Sequence, residues 1–483
     1  MRALVLSFVL VVGVVSGCGG DGGPDASGPS CNPKSESCDG VDEDCDGVPD
    51  DGPCSAPITD GAWFLGGTGT DHVRGVAFDP AGNVYVTGAV TSPADLGKGP
   101  VTGAQGYLAS FDPKGVARWS YSWGATSNGS DYGQDVSVGG GMVCAAGGFA
   151  GTFDFGGGAR TAGGNNDALV VCLDAATGAY LWDRAIGGDS SDTAQGVHVT
   201  ATGDVVIDGF ANAASVDFGG GALAPAQGGF VARYAKDGTF EWARVYANTN
   251  IDFGSKPGVD ASGAAYVTGT FFDNVDFGGG PRKAAGSSNA FLLALDADGE
   301  WLWDRVFGSA GTGITLYGAS VRQRGDVVIS GELTGSLSLG GPKITSHGDS
   351  SAEAFVAAFD ASGKLEWQYS AGGTGATRGF GAAIGPGDSV VLAGQYGGLV
   401  KFGDDTRPAA TDDMYAVGLT PDGKYLWDFT LAGSDNEAVN AVAVDASGRV
   451  ALGGEAWGEL SVDGITHTNA GGDDGALVFL RRP

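Results

Sequence analysis

The sequence predicts an all-β fold, a seven-bladed β-propeller of four-stranded antiparallel blades, and three observations carry that expectation. Tryptophans recur at Trp63, Trp119, Trp182, Trp242, Trp303, Trp367 and Trp427, 56 to 64 residues apart, and a period of that length marks an array of like units. Each interval holds the same succession of short apolar runs separated by turn residues, the pattern of a β-meander. Glycine fills 90 of 483 positions, against a usual share of roughly 7%, which penalises helix interiors and suits a chain of many tight turns.

In chain order, Arg2 precedes an apolar stretch from Leu4 to Val15 and then small residues, so residues 1–17 read as an export signal. That stretch falls short of the ~20 residues a spanning helix needs. The tetrapeptide VSGC, Val15 to Cys18, resembles the lipobox of bacterial lipoproteins. The resemblance implies that Cys18 is lipidated and holds the chain to a membrane through several acyl chains. With Gly19 rather than Asp behind it, the resemblance further implies sorting to the bacterial outer membrane, on its periplasmic side or at the cell surface. Residues 18–30 are then the lipidated cysteine and a flexible tether.

Residues 31–57 form a Cys/Asp-rich module. Export to an oxidising compartment makes Cys31, Cys38, Cys45 and Cys54 disulfide candidates, with three pairings open. A four-thiolate zinc site competes, but the residues between are carboxylates, which suit hard cations. Asp42, Asp44 and Asp46 precede Gly47, Val48 offers its carbonyl and Asp50 a further oxygen, which is the spacing of a calcium loop. Pro53 stands where a bidentate Glu is usual, with Asp51 or Asp39 as substitutes, so the expected affinity is weak, about 10⁻⁴ to 10⁻³ M. Cys38 to Gly47 also resembles the Cys-Asp-Gly-x-Asp-x-Asp-Cys-Asp-Gly metal-binding motif of secreted bacterial proteins. Ca²⁺ is the expected ion, and no organic cofactor is expected.

The propeller is assigned to residues 61–483. After each tryptophan strand comes a Gly/Ser/Thr/Asp loop, an inner strand, a tight turn and a second strand such as DVVIDGF from Asp204. A longer loop follows, often containing DFGGG (from Asp154, Asp217 and Asp276), then a third strand such as NAFLLALD from Asn289 and a turn such as DASG. The nearly continuous apolar runs suit strands covered on both faces, which radial packing of seven sheets provides. The last repeat stops after its third strand, from Ala476, while AWFLGG from Ala62 stands ahead of the first. Residues 62–66 are therefore expected to pair beside residues 475–481 and complete blade 7. The segments GVAFDPAGNVYVTG (Gly75 to Gly88) and VDASGAAYVTG (Val259 to Gly269) resemble the seven-bladed propeller repeat family (SBBP) of bacterial exported proteins, which implies fold and export but no defined activity. LDAATGAYLW from Leu173 resembles the tryptophan-docking repeat of quinoprotein dehydrogenases. Here it implies indoles packed between blades rather than a quinone site, since the chain has seven repeats and no adjacent cysteine pair.

A formal charge of −31, from 57 acids against 26 Lys and Arg, argues against nucleic acid, whose binding needs clustered cations. His72, His198, His347 and His467 are scattered and are read as ordinary surface or core residues. Repeat alignment sets Asp71, Asp131, Asp192, Asp252, Ile314, Thr377 and Glu437 at one position before the inner strands. Their recurrence favours acids that order their own loops by bonding backbone N–H groups, and the exceptions point to the sector around Thr377 and Arg378 for an asymmetric ligand patch. Cys144 and Cys172 fall on neighbouring strands of blade 2, as a disulfide or as two buried thiols. No catalytic residue stands out. The leading expectation is a monomeric, membrane-anchored, non-catalytic propeller that binds a protein or glycan or serves as an envelope scaffold. The alternatives are an enzyme acting on polysaccharide through Asp and Glu, a quinoprotein-like oxidoreductase, and a passive structural protein.

Overall fold

Blade 1 shows how one repeat becomes a sheet. His72–Phe78, Val84–Val90, Gln105–Phe111 and Ala117–Trp123 pair antiparallel in that order. The two middle strands are buried almost throughout, as strands sandwiched between neighbouring sheets must be. The computed structural model describes residues 57–481 apart from breaks at 92–93, 99, 102–104, 125–130, 225, 248–250, 255, 286–287, 348–350 and 470. The signal, Cys18, the clustered cysteines and the Asp42–Asp50 loop lie outside the described residues.

Blades 2 to 6 repeat the order, with inner strands at Tyr132–Gly139, Thr193–Val199, Ile251–Phe253 continued by Gly258–Val259, Gly313–Val321, and Thr377–Ile384. Blade 7 is built from both ends of the chain: Glu437–Val444, Val450–Ala456 and Asp474–Arg481 are completed by Ile58–Leu65. Trp63 sits opposite Leu477 and Leu65 opposite Gly475. The expected closing strand is present and starts earlier, because a bulge between Thr59 and Ala62 lets pairing resume as far as Ile58. Asp60 adds ion pairs to Arg449 (2.9 Å) and Arg481 (3.3 Å) across this seam. The apolar cores lie between blades: Met142, Cys144 and Ala146 of blade 2 pack with Val205, Ile207 and Phe230 of blade 3.

Six of the seven repeat tryptophans dock on the following blade. The indole N–H donates to a carbonyl in the next blade's turn between third and outer strands: Trp119 to Ala175 (3.2 Å), Trp182 to Lys236 (3.0 Å), Trp242 to Ala297 (2.8 Å), Trp303 to Ala361 (2.8 Å) and Trp367 to Pro421 (2.9 Å). Trp63 packs in the same way on Gly115. The turn glycine serves twice, as Gly299 shows: its φ is +77°, and a Cβ there would come within 2.6 Å of the Trp242 ring. Trp427 is the exception. The third and outer strands of blade 7 come from opposite ends of the chain, so no turn joins them, and the buried Trp427 indole nitrogen has no hydrogen-bond partner among the described residues.

The long loop between second and third strands is a β-hairpin in every blade, from Ala94–Asp95 with Pro100–Val101 to Glu459–Val462 with Ile465–Thr468. Where DFGGG occurs, the Asp accepts the N–H groups two and four residues on, as Asp154 does from Gly156 (2.8 Å) and Gly158 (3.0 Å). In blades 2, 4 and 6 a hairpin arginine then reaches the buried aspartate that follows the repeat tryptophan: Arg160 to Asp183, Arg282 to Asp304 and Arg407 to Asp428, at 2.7 to 2.8 Å. Cys144 lies directly opposite Cys172, and the two form a disulfide.

Candidate functional site

The site grows from an irregularity shared by the inner strands. Pairing of the inner with the second strand slips between Val73 and Gly75, Gly133 and Asp135, Ala194 and Gly196, Leu316 and Gly318, Arg378 and Gly381, and Val439 and Ala441. In blade 4 the inner strand is interrupted between Phe253 and Gly258. A bulge re-aims the side chain it carries, and here the carriers are Arg74, Gln134, Gln195, Tyr317, Phe380 and Asn440, all half-buried. Two pairs of carriers on adjacent blades meet. Arg74 donates to the Gln134 amide oxygen (3.3 Å), and its guanidinium lies over the Tyr132 ring at 5.1 Å. Tyr317 and Phe380 pack edge to face at 4.9 Å. Beyond the bulges, residues from all seven inner strands, among them Ser137, His198, Lys256 and Ser320, enclose an axial cavity of about 290 Å³.

The set of bulge residues is uneven in chemistry. Blades 7, 1, 2 and 3 present Asn440, Arg74, Gln134 and Gln195, whereas blades 5 and 6 present the two aromatic rings beside an ion pair of Arg378 with Glu332 (3.3 Å). The sector singled out around Thr377 and Arg378 is thus the aromatic one, with Thr377 itself buried. Burial raises Glu332 above the usual carboxylate value while Arg378 opposes it. Between blades 2 and 3, Asp135 accepts the Val197 N–H (3.0 Å) and burial pushes its pKa up to about 6. The fully buried Asp208 is raised further, by burial first and then by the Asp135 charge.

The acids before the inner strands do not belong to this set. Asp71 accepts the Gly67 (2.7 Å) and Thr91 (2.9 Å) N–H groups, Asp131 that of Ala150 (2.8 Å), Asp192 those of Gly188 (2.9 Å) and Asn212 (2.6 Å), and Glu437 that of Gly433 (2.9 Å). They order their own loops, as expected. Asp252 is a correction to the alignment: Ile251, opposite Phe271, holds the buried position, and Asp252 is the exposed next residue. The interrupted inner strand of blade 4 shifts the register by one, and a one-residue shift turns a side chain to the other face.

The bulge carriers escaped the sequence reading because a bulge belongs to the pairing of two strands. Their trace is local, a polar or aromatic residue wedged between small or apolar ones, as in VRGV from Val73, AQGV from Ala194, LYGA from Leu316 and VNAV from Val439. A larger cavity, about 650 Å³, lies against Asp79, Tyr85, Arg118 and Ala175. Its polar groups bond one another, with Arg118 donating to the Tyr85 hydroxyl (3.0 Å) and to Ser110 (2.8 Å).

Residues 65–89 match the family model of the beta-propeller repeat. No curated protein matches the chain. Among solved structures, a quinohemoprotein alcohol dehydrogenase from Comamonas testosteroni is 13% identical with a TM-score of 0.37, over 86% of this chain and 76% of that one. A PL25 ulvan lyase is 11% identical with a TM-score of 0.46, over 85% and 97%. A europium-containing methanol dehydrogenase is 11% identical with a TM-score of 0.41, over 88% and 93%. None of their activities is carried to this chain. From its own strand order and the matched repeat, the described body is a seven-bladed β-propeller.

Proposed function

We propose that the chain is an exported, lipid-anchored protein of the bacterial outer membrane whose propeller binds a glycan at its axial channel without catalysis. The observation that carries this reading is the ring of bulge residues. The inner strands carry side-chain amides, a guanidinium and an edge-to-face aromatic pair at the same bulge position of successive blades. Amides and Arg suit the hydroxyl groups of a sugar, and aromatic faces suit its C–H faces. Of the protein or glycan ligand expected from sequence, this mixture favours the glycan. The VSGC motif and the Gly-rich tether support the anchor. The Asp42, Asp44, Asp46, Val48 and Asp50 loop supports a weak Ca²⁺ site in the stalk, and the net charge of −31 speaks against nucleic acid.

A glycan array probed with the full chain tests the reading. A saccharide class that is bound by the wild type and lost in Gln134→Ala and Phe380→Ala supports it. Binding unchanged by both variants, or turnover of the bound polysaccharide, sinks the non-catalytic channel assignment. For the stalk, calorimetry on residues 31–54 with millimolar Ca²⁺ should show heat, and none removes the ion.

A further inference from the structure

The seam between blades 7 and 1 brings together three residues that the chain order keeps far apart. His72 opens the inner strand of blade 1, Glu455 lies near the end of the second strand of blade 7, and Asp473 stands just before its third strand. Their ligand atoms, one imidazole nitrogen and two carboxylate oxygens, all lie within 4.8 Å of one another. His72 Nδ1 is 2.7 Å from Glu455 Oε1 and 3.6 Å from Asp473 Oδ2. Ligands around a tetrahedral ion with bonds of about 2.0–2.1 Å stand roughly 3.3 Å apart. The observed pair of distances brackets that spacing, so small side-chain movements admit an ion.

Two further observations bear on how these groups are held. His72 Nδ1 is shielded from solvent and, despite its closeness to Glu455, has no hydrogen bond of acceptable geometry. The Asp473 side chain is 9% exposed and faces that same imidazole at 3.6 Å. A carboxylate largely withdrawn from water is costly unless a cation faces it. Glu455 is meanwhile oriented by the Asn440 amide, which donates to Oε1 at 3.0 Å and to the Val73 carbonyl at 3.2 Å. Orientation of a ligating carboxylate by a second residue is what metal sites use.

We propose that His72, Glu455 and Asp473 bind a divalent first-row metal ion of the zinc type, which clasps blade 1 to blade 7 at the non-covalent closure of the ring. The imidazole selects against Ca²⁺ and Mg²⁺, which take oxygen ligands, and the absence of thiolates at this place leaves a mixed N/O site. Asp473 also borders a cavity of about 320 Å³ with Trp457, Asn469 and Gly472, which leaves room for a water as fourth ligand. The ion would link strands that no turn connects, so its binding energy adds to the closure itself.

The test uses the full chain, stripped with EDTA and dialysed against Zn²⁺. Wild type should retain one equivalent more than His72→Ala and Asp473→Asn, whose Cys/Asp-rich stalk is the same. Zn²⁺ at about a hundredfold excess over Kd should raise the wild-type Tm by about 3 °C and leave both variants unmoved. Asp473→Asn keeps the side-chain volume, so in EDTA it should unfold at or above the wild-type temperature, which separates metal loss from misfolding. Equal metal content in wild type and both variants overturns the proposal. So does a wild-type Tm that Zn²⁺ does not move, or one that only Ca²⁺ moves.

Discussion

Arg282 and Asp304 meet in a two-pronged ion pair, Nε to Oδ2 at 2.7 Å and Nη2 to Oδ1 at 2.8 Å, which ties the hairpin of blade 4 to its outer strand. The Asp304 side chain is 2% exposed and the Arg282 side chain 31%. Arg282→Ala therefore strands a buried carboxylate, although Trp301 still donates to it at 3.0 Å. The expected cost is about 3 kcal/mol, the low end for a broken buried pair. Arg282→Met with Asp304→Leu should recover most of it. Urea unfolding measures both, and a single variant within 0.5 kcal/mol of wild type would show that the pair is ornamental.

The tryptophans should not be equivalent. Trp242 loses a hydrogen bond to Ala297 on replacement by Phe, whereas Trp427 has none to lose among the described residues. Trp242→Phe should cost about 1 kcal/mol more than Trp427→Phe, read from paired denaturation midpoints. The reverse order would contradict the docking scheme.

Closure of the ring rests on a strand that is not covalently joined to its blade. Deleting residues 61–67 removes all four pairing partners of Gly475 to Val478 and exposes an edge that is a template for aggregation. Light scattering should rise and the Tm fall. A truncated chain that melts like wild type refutes the topology.

Glu437 makes stability depend on pH. Burial pushes its pKa up to about 7 from 4.5, with the Asp413 charge adding and the Gly433 N–H opposing. A carboxyl raised in the folded state contributes stability in full below pH 4.5, and that contribution is lost as pH rises through 7. Glu437→Gln should flatten that part of the profile. Denaturation midpoints taken at pH 4.5, 6 and 8 check it, and identical slopes in the two proteins exclude it.

The Cys144–Cys172 bridge closes a 28-residue separation. On loop entropy it contributes about 3 to 4 kcal/mol. Replacing both cysteines by alanine should lower unfolding stability by that order, and a reductant should affect wild type but not the double variant.

Much of the fold was legible because its signals are local. Trp63 to Trp427 set the period, the glycine turns set the strand boundaries, and the unmatched strand at Ala62 announced the closure. The hairpins were read as loops because strands as short as Val216–Asp217 are too brief for periodicity to register. The Arg–Asp ties had a visible trace nonetheless. Arginine in the hairpin accompanies aspartate after the tryptophan in blades 2, 4 and 6, while blade 3, with Leu223 in its hairpin and Ala243 after Trp242, lacks both.

The amino-acid sequence by itself determined seven units, four strands in each, and a ring closed by its own two ends, because apolar alternation and turn chemistry act over a few residues. Only the tertiary structure decided which side chains face the axis and which meet across the seam. Arg74, Gln134, Tyr317 and Phe380 are carried on bulges, which are properties of register between strands. Asp252 and Ile251 exchange roles through a shift of one residue in that register. His72 comes beside Glu455 and Asp473 only when blade 1 packs on blade 7, since closing the ring converts the greatest separation along the chain into contact.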